Sequence, residues 1–274
     1  MRGCCRICSG RVLRTALFPD CWKPCSRKAR LLSIGTFKVI IPHNKPSFDD
    51  LEAKAVERVI SSGWVAQGSE VREFENELCD YFGLESGHAL AVSSGSSALY
   101  LALKALEAGD KTVGLPVYAC AALTNAISLV GAKPYFLDTK TGFPNITPND
   151  IYGTQCDVLI APSMYGLPVD VPENFDIPII EDIAQAFGAR SNGKPIGLRG
   201  TVGICSFYAT KLFTTGGQGG AVLSSKKEYI DFLRDYREFD CRNDGVPRFN
   251  FQMTDIQAAI GRVQLKKLPS FIHE

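Results

Sequence analysis

The sequence contains few histidines, and several common catalytic motifs are missing from it. Three histidines occur in 274 residues (His43, His88 and His273), widely separated and without a metal-ligand spacing. This argues against a histidine-based hydrolase or zinc enzyme and leaves proton transfer to lysine or carboxylates. Neither G-x-S-x-G nor a helix-opening G-x-G-x-x-G is present, which disfavours a nucleophile elbow and a dinucleotide fold. No uncharged apolar run approaches the roughly 18 residues that span a bilayer, so we do not expect an integral membrane protein.

One phosphate-binding motif is present only in part. The segment Gly188 to Lys194 follows the P-loop pattern as far as its lysine, but Pro195 stands where Ser or Thr would hold magnesium. Proline also lacks the backbone N–H that a phosphate cradle uses. We therefore predict a surface turn at this segment and no nucleotide site.

The composition is that of a globular protein, but its charge is divided unevenly. With 45% hydrophobic and 22% charged residues, the chain is not disordered, collagenous or of low complexity. The net charge of +1 is a cancellation. Residues 1–38 carry nine basic residues and one acid, a net +8, and the remainder carries 21 basic and 28 acidic residues, a net −7. We therefore predict two parts, a basic leader at 1–38 and a single domain at 39–274.

Four interpretations compete for the basic, cysteine-rich leader. Cys5-x2-Cys8 followed by Cys21-x3-Cys25 resembles a zinc knuckle, whereas an acid-poor basic segment is also typical of targeting peptides and nucleic-acid patches. We favour the fourth interpretation, a disordered tail, because no helical periodicity is visible. The charge of −7 in the remainder argues against nucleic-acid binding. Its cysteines occur singly, as reduced thiols usually do: Cys79, Cys120, Cys156, Cys205 and Cys241.

Residues 39–274 alternate short apolar runs with amphipathic segments, which predicts an α/β fold with a mostly parallel central sheet and helices on both faces. The predicted strands are His88–Val92, Thr112–Val117, Pro134–Leu137, Val158–Pro162, Pro178–Glu181, Ile204–Tyr208 and Gly220–Leu223. The predicted helices are Phe48–Ser61, Glu70–Phe82, Ser96–Leu106, Ala121–Val130, Lys226–Phe239 and Thr254–Leu268. Ligands of such sheets bind at the carboxyl ends of the strands, where chemistry should be sought.

Three segments at predicted strand ends carry candidate chemistry. Val92–Leu99 places hydroxyls and free N–H groups at a helix N-terminus, which suits a phosphate, although an ordinary serine cap has the same pattern. Glu181 and Asp182 end an apolar strand, where a buried carboxylate needs a cation or donors, or else both acids are solvated. Lys211 follows another apolar strand, and a desolvated lysine there could form a Schiff base, although a solvated loop lysine is commoner.

Taken together, the three segments fit one cofactor. Pyridoxal phosphate requires an anion cradle, an acid beside its ring nitrogen and a lysine for its aldehyde. The combination of all three at strand ends is far more specific than any one of them.

The same segments resemble the DegT/StrS family of sugar aminotransferases, which belong to the fold-type-I pyridoxal phosphate enzymes. The resemblance runs from about Ile41 to Leu268. It is carried by the segments Ser62–Gly68, Val71–Glu75, Ser93–Leu99, Ile180–Ala189, Ser206–Lys211, Gly219–Gly220 and Asn250–Ala259.

The resemblance implies a role for each matching residue. Lys211 would be the Schiff-base lysine, Asp182 the partner of the pyridinium nitrogen, and Gln185 a contact of the cofactor's phenolic oxygen. Asn250 would reach the phosphate in the neighbouring subunit, which implies a homodimer with shared active sites. The other cofactor-binding positions implied are Gly95, Ser96, Ser97, Cys120 and Ser206.

The resemblance also implies an activity. The enzyme would transfer an amino group from an amino acid, glutamate by the family pattern, to a keto-sugar nucleotide, for amino-sugar, cell-surface polysaccharide or secondary-metabolite biosynthesis in the cytoplasm. Lys211 fits the aminotransferases, because the dehydratase branch of the family has histidine there. The alternative is an inactive homologue that binds the cofactor or dimerises without turnover.

The sequence departs from the family pattern in three places. Ser96 stands where threonine is usual, and Cys120 stands where an aromatic residue commonly stacks on the cofactor ring. The chain stops at Glu274, whereas family members continue with a small C-terminal domain. We therefore expect a large cofactor-binding domain whose small C-terminal domain is largely missing.

Overall fold

A computed structural model describes residues 44–172 and 174–273, so the predicted leader at 1–38 lies outside the described residues. The helices are α1 (Asp50–Ser62), α2 (Ser69–Phe82), α3 (Gly95–Ala105), α4 (Ala121–Leu129), α5 (Pro148–Tyr152), α6 (Lys227–Arg237) and α7 (Asp255–His273). The strands are β1 (Ala89–Val92), β2 (Thr112–Pro116), β3 (Lys133–Leu137), β4 (Val158–Pro162), β5 (Ile179–Asp182), β6 (Arg190–Ser191), β7 (Lys194–Pro195), β8 (Val202–Ser206) and β9 (Gly220–Leu223). Among these described helices, none is both long and apolar enough to cross a membrane.

Seven strands form the central sheet, in the order β1-β9-β8-β5-β4-β2-β3. Strand β9 runs antiparallel to both of its neighbours, and the pairings from β8 to β3 are parallel. Strands β1, β5 and β8 therefore point the same way and end at one edge of the sheet. The predicted fold class, an α/β domain with a mostly parallel sheet, is confirmed.

Helices cover both faces of the sheet because the strands alternate their side chains between two cores. In β1, Leu90 and Val92 belong to a core that includes residues of α3, α4 and α6. Ala89 and Ala91 belong to a second core that includes residues of α2 and α7. Strand β1, all of whose residues are buried, is thus covered on both sides.

Helix α2 begins with a cap supplied from far along the chain. Its N-cap residue is Gly68, which has no side chain to accept a hydrogen bond. The Oδ1 atom of Asp255 accepts instead from the N–H groups of Gly68 (2.8 Å) and Val71 (3.0 Å). A Cβ atom at Gly68 would lie against the indole ring of Trp64 and 2.6 Å from Asp255 Oδ2, so these two side chains leave no room for another one there.

The free edge of β1 is occupied by side chains of the same chain. Glu75 accepts from the N–H of Ala91 at 2.9 Å, while Arg237 donates to the carbonyl of Ala91 at 2.9 Å. Arg234 donates to the carbonyl of Ala89 at 2.9 Å, and both arginines are paired with Glu75. A carboxylate and two guanidinium groups therefore take up three of the backbone groups along this edge.

Three parts of the structure differ from the predicted elements. Helix α5 was not predicted, because its five residues are too few to show periodicity, although Thr147 and Asp150 form a capping box. Helix α7 continues beyond Leu268 through Pro269, and Phe271 packs against the second core. Strand β8 ends at Ser206, two residues earlier than predicted.

The partial P-loop segment forms a hairpin of β6 and β7. Asn192 and Gly193 take left-handed conformations between the two short strands, with φ of 51° and 76°. This Asn-Gly pair is typical of a two-residue hairpin turn. The predicted turn is confirmed, and its residues are largely exposed.

Candidate active site

A cavity of about 310 Å³ lies where β5 and β8 end and where α3 and α4 begin. Seven of the nine cofactor-binding residues implied by the resemblance line it: Gly95, Ser96, Cys120, Asp182, Gln185, Ser206 and Lys211. Its remaining lining includes the apolar residues Leu99, Leu123, Ile204 and Met164. The fold thus brings together residues that are up to 124 positions apart in sequence, from Ser94 to Gln218.

The N-terminus of α3 forms one end of the cavity. Ser94 is the N-cap residue, and its hydroxyl accepts from the N–H of Ser97 at 3.0 Å. Gly95 and Ser96 supply the N–H groups of the first turn, which have no acceptor within the helix. Because both residues line the cavity, these donors and the positive end of the helix dipole are available to an anion.

Glycine at position 95 allows α3 to approach the end of β8. A Cβ atom there would lie 2.7 Å from the Cβ of Ser206 and 2.8 Å from its hydroxyl oxygen. The hydroxyl of Ser206, on a residue that is 9% exposed, is therefore held beside the helix N-terminus. Position 95 thus tolerates no side chain. The anion site at the start of α3 combines the backbone N–H groups of Gly95 and Ser96 with the hydroxyl of Ser206.

Asp182 ends β5 and is 6% exposed. Burial raises the pKa of its carboxyl group to about 6, although the N–H of Ala184 and the charge of Lys211 oppose this rise. The N–H of Ala184 reaches Oδ1 at 2.9 Å. This carboxylate is therefore costly to keep ionised until a cationic group meets it, as expected for a partner of a protonated ring nitrogen.

Lys211 lies in the loop between β8 and β9 and is half-buried. The loop is folded back on itself, because the N–H of Lys211 donates to Tyr208 at 2.9 Å and that of Ala209 donates to Gly217 at 3.1 Å. Lys211 comes five residues after the end of β8, and this folded loop places it in the lining of the cavity.

Gln185 has its side-chain orientation fixed by a neighbouring loop. Its Oε1 atom accepts from the backbone N–H of Tyr165 at 3.2 Å. Since the oxygen faces this donor, the Nε2 group is the end left for a ligand in the cavity. Gln185 therefore presents a donor, which suits an acceptor oxygen.

Two implied residues, Ser97 and Asn250, are not among those that line the cavity. The hydroxyl of Ser97 pairs with those of Ser93 (3.0 Å) and Ser94 (2.9 Å) within the cap of α3. Asn250 is exposed, and its Oδ1 accepts from the N–H of Gln252 at 2.9 Å. Direct cofactor contacts of all nine residues stay predictions.

Cys120 and Tyr208 define the cavity near its opening. Cys120 is the N-cap residue of α4 and is exposed. Tyr208, which is 43% exposed, is an aromatic lining residue that was not singled out from the sequence. The sequence feature that could have identified Tyr208 is its position near a strand end, two residues after Ser206. Gln218 was missed likewise, although it belongs to the glycine-rich turn before β9.

Comparison with known proteins defines the class of this fold and site. The model of the DegT/DnrJ/EryC1/StrS aminotransferase family matches residues 46–274, and the chain belongs to this family.

Among solved structures, the aminotransferase from Psychrobacter cryohalolentis is 31% identical with a TM-score of 0.74, covering 82% of this chain and 63% of its own. GDP-4-keto-6-deoxymannose-3-dehydratase (ColD) with bound GDP-perosamine is 25% identical with a TM-score of 0.75, covering 85% and 69%. The PLP form of Spr1654 from Streptococcus pneumoniae, at 24% identity, shares the fold with a TM-score of 0.76 over 84% and 67%. The chain therefore spans about two thirds of the length of these proteins.

Proposed function

We propose that this domain binds pyridoxal phosphate and transfers an amino group from an amino acid, glutamate by the family pattern, to a keto-sugar nucleotide. One observation carries the proposal: the free N-terminus of α3, the buried carboxyl of Asp182 and the amine of Lys211 line a single cavity. Family membership supports the aminotransferase class of the reaction.

The residues present fit pyridoxal phosphate at each of its polar groups. Gly95, Ser96 and Ser206 would hold the phosphate, because a side chain at position 95 would fill the space beside Ser206. Asp182 would pair with the ring nitrogen and Lys211 with the aldehyde. When bound, the cofactor supplies an electron sink for the carbanion of the substrate.

Asp182 would keep the proton on the ring nitrogen. Burial raises the pKa of its carboxyl group to about 6, so the group is mostly ionised at pH 7 even without a ligand. A cationic ring N–H would lower this pKa further, because opposite charges favour the ionised form. The apolar lining around Asp182 excludes water and strengthens that pairing.

Lys211 would provide the mobile proton. Its side chain is half-buried and lines the cavity, so its amine can meet a ligand there. This amine would bind the aldehyde of the cofactor, and as a free amine it would hold a proton at Nζ for exchange with the amine carbon of the substrate.

The substrate class is supported by the solved structures of similar fold. ColD is described with GDP-perosamine, a nucleotide-linked sugar, and Spr1654 is described in a PLP form. The lysine at position 211 favours amino transfer over the dehydratase chemistry of the branch that carries histidine. We further propose a homodimer in which Asn250, exposed in this chain, completes the partner's phosphate site.

Replacement of Lys211 tests the proposal. The purified chain with added pyridoxal phosphate should show the visible absorbance of a lysine-bound cofactor and transaminate a keto-sugar nucleotide with glutamate. Lys211→Ala should lose both, whereas the exposed Lys140→Ala should keep both.

A yellow, active Lys211→Ala variant would overturn the assignment. If the 274-residue chain shows the absorbance but no transfer across a panel of keto-sugar nucleotides, the alternative of cofactor binding without turnover is supported.

A further inference from the structure

The loop after β4 contains a backbone turn that needs outside support. Met164–Gly166 forms one 3-10 turn, closed by the N–H of Leu167 on the carbonyl of Met164 at 3.0 Å. Within it, Tyr165 has a φ of 57° and Gly166 a φ of 78°. Tyrosine is unfavourable in the left-handed region, so contacts elsewhere must hold this conformation.

Asn145 holds both ends of the turn from the protein interior. It lies between β3 and α5 and is fully buried. Its Oδ1 accepts from the N–H of Met164 at 2.9 Å, and its Nδ2 donates to the carbonyl of Leu167 at 2.8 Å. A single amide thus bonds to the first and last residues of the turn, which fixes its shape.

The apex of the turn contacts the cavity through Gln185. With the turn in this shape, the N–H of Tyr165 reaches Gln185 Oε1 at 3.2 Å. The hydroxyl of Tyr165 also pairs with that of Tyr118 in the loop after β2. The turn therefore has one buried support and one exposed support, and its N–H determines which end of the Gln185 amide faces the cavity.

We propose that Asn145 is a positioning residue for the cofactor: it shapes the Met164–Leu167 turn so that Tyr165 orients Gln185 and its Nε2 group donates to an acceptor oxygen of the cofactor. Asn145 acts through the turn and touches no ligand, since it is not among the residues that line the cavity. The inference rests on the proposed function, because it requires pyridoxal phosphate as the ligand.

A double-mutant cycle on cofactor affinity tests this chain of contacts. The dissociation constant for pyridoxal phosphate is measured by titration of the cofactor-free chain for wild type, Asn145→Ala, Gln185→Met and the double variant. Each single variant should bind about 3- to 10-fold more weakly, the range expected for one hydrogen bond. The double variant should bind no more weakly than Gln185→Met, because both changes remove the same contact.

A second measurement reports on the turn without any cofactor. Hydrogen exchange at the Tyr165 amide should be slow in wild type and faster in both single variants. Gln185→Met removes the acceptor of this N–H, and Asn145→Ala removes the hydrogen bonds that hold the turn in shape. Asn145→Asp keeps the oxygen that faces Met164 and replaces Asn145→Ala if the latter does not fold. Thr147→Ala, which removes only the cap of α5 two residues away, should change neither readout.

The possible outcomes separate the two proposals. Wild type that does not bind pyridoxal phosphate overturns the proposed function and this inference with it. Wild type that binds, together with unchanged affinity in Asn145→Ala or with additive losses in the double variant, overturns the positioning role alone. Fast exchange of the Tyr165 amide in wild type would also overturn it.

Discussion

Asp182 is the residue at which function and stability most directly oppose each other. Its ordinary pKa is 3.8, and burial raises this value to about 6 in the folded chain. The folded state therefore binds its proton more tightly than the unfolded state. By linkage, the stability of the cofactor-free chain falls as pH rises from about 4 to about 6, and the deficit persists above that range. The full deficit is about 3 kcal/mol, taken from the difference between the two pKa values.

Asp182→Asn should therefore stabilise the cofactor-free chain at pH 8, because it removes the cost of a buried charge. We expect a gain of about 1–3 kcal/mol at pH 8 and little difference at pH 4, measured by urea unfolding. The same variant should bind pyridoxal phosphate far more weakly.

The exposed Asp176, just before β5, provides a matched control. Asp176→Asn should change stability by less than about 0.5 kcal/mol at either pH. A gain for Asp182→Asn that is equal at both pH values would contradict the linkage argument.

The residues with a chemical signature in the sequence were the ones that could be predicted. Asp182 and Lys211 were found because a charged group at or soon after the end of an apolar strand is unusual, and both line the cavity. Asn145 could not be found this way, since its importance depends on hydrogen bonds to residues 19 and 22 positions away. Ser97 was predicted to contact the cofactor but does not line the cavity. The serine-rich sequence alone does not reveal which hydroxyls cap the helix and which face a ligand.

Among the elements, α2 depends most on a distant residue. Asp255, which is 2% exposed, accepts from two N–H groups at the start of α2 and lies in the first turn of α7. A charged cap that is buried contributes more than an exposed one, because water cannot replace it. The two helices are thus joined by polar bonds as well as by their apolar faces.

Asp255→Ala should lower the free energy of unfolding by about 2 kcal/mol, because it leaves buried N–H groups of α2 without an acceptor. Asp255→Asn keeps an acceptor oxygen and should cost less. Urea unfolding of both variants checks this order.

Asp240→Ala serves as the control, because its carboxylate also accepts a backbone N–H but is exposed. We expect a change within about 0.5 kcal/mol. An Asp255→Ala variant as stable as the control would show that the cap does not stabilise α2.

Elements with a repeating pattern were predicted well, and those defined by single contacts were not. All seven strands of the sheet were found, since each contains a short apolar run between turns, although only Leu137 of β3 is buried. The strand order was not predictable, because the antiparallel placement of β9 between β1 and β8 depends on contacts between segments about 130 residues apart. The end of α7 was misjudged because Phe271 packs beyond a proline that would otherwise end the helix.

At the scale of the whole molecule, the proposed dimer makes a quantitative prediction. If Asn250 serves the partner's site, Lys211→Ala and Asn250→Ala damage different halves of each shared site. Mixed dimers then contain one intact site, formed by Lys211 of one subunit and Asn250 of the other. Random mixing of the two inactive variants should restore about a quarter of wild-type activity, because half the dimers are mixed and each has one intact site of two.

This complementation is measured by mixing the purified variants after reversible dissociation. Mixing Lys211→Ala with Asp182→Asn provides the control, since both residues line the same cavity of one chain and no intact site can form. Absence of recovery with Asn250→Ala, despite exchange of subunits, would contradict the shared site.

The two outer strands of the sheet have a consequence for behaviour in concentrated solution. At β1, Glu75, Arg234 and Arg237 already bond to three of the backbone groups that another polypeptide would use. At β3, the outer strand carries Lys133 and Pro134, a charge and a residue without an N–H donor. Both features discourage the addition of a foreign strand. Both outer strands should therefore be poor templates for fibrous self-association at high protein concentration.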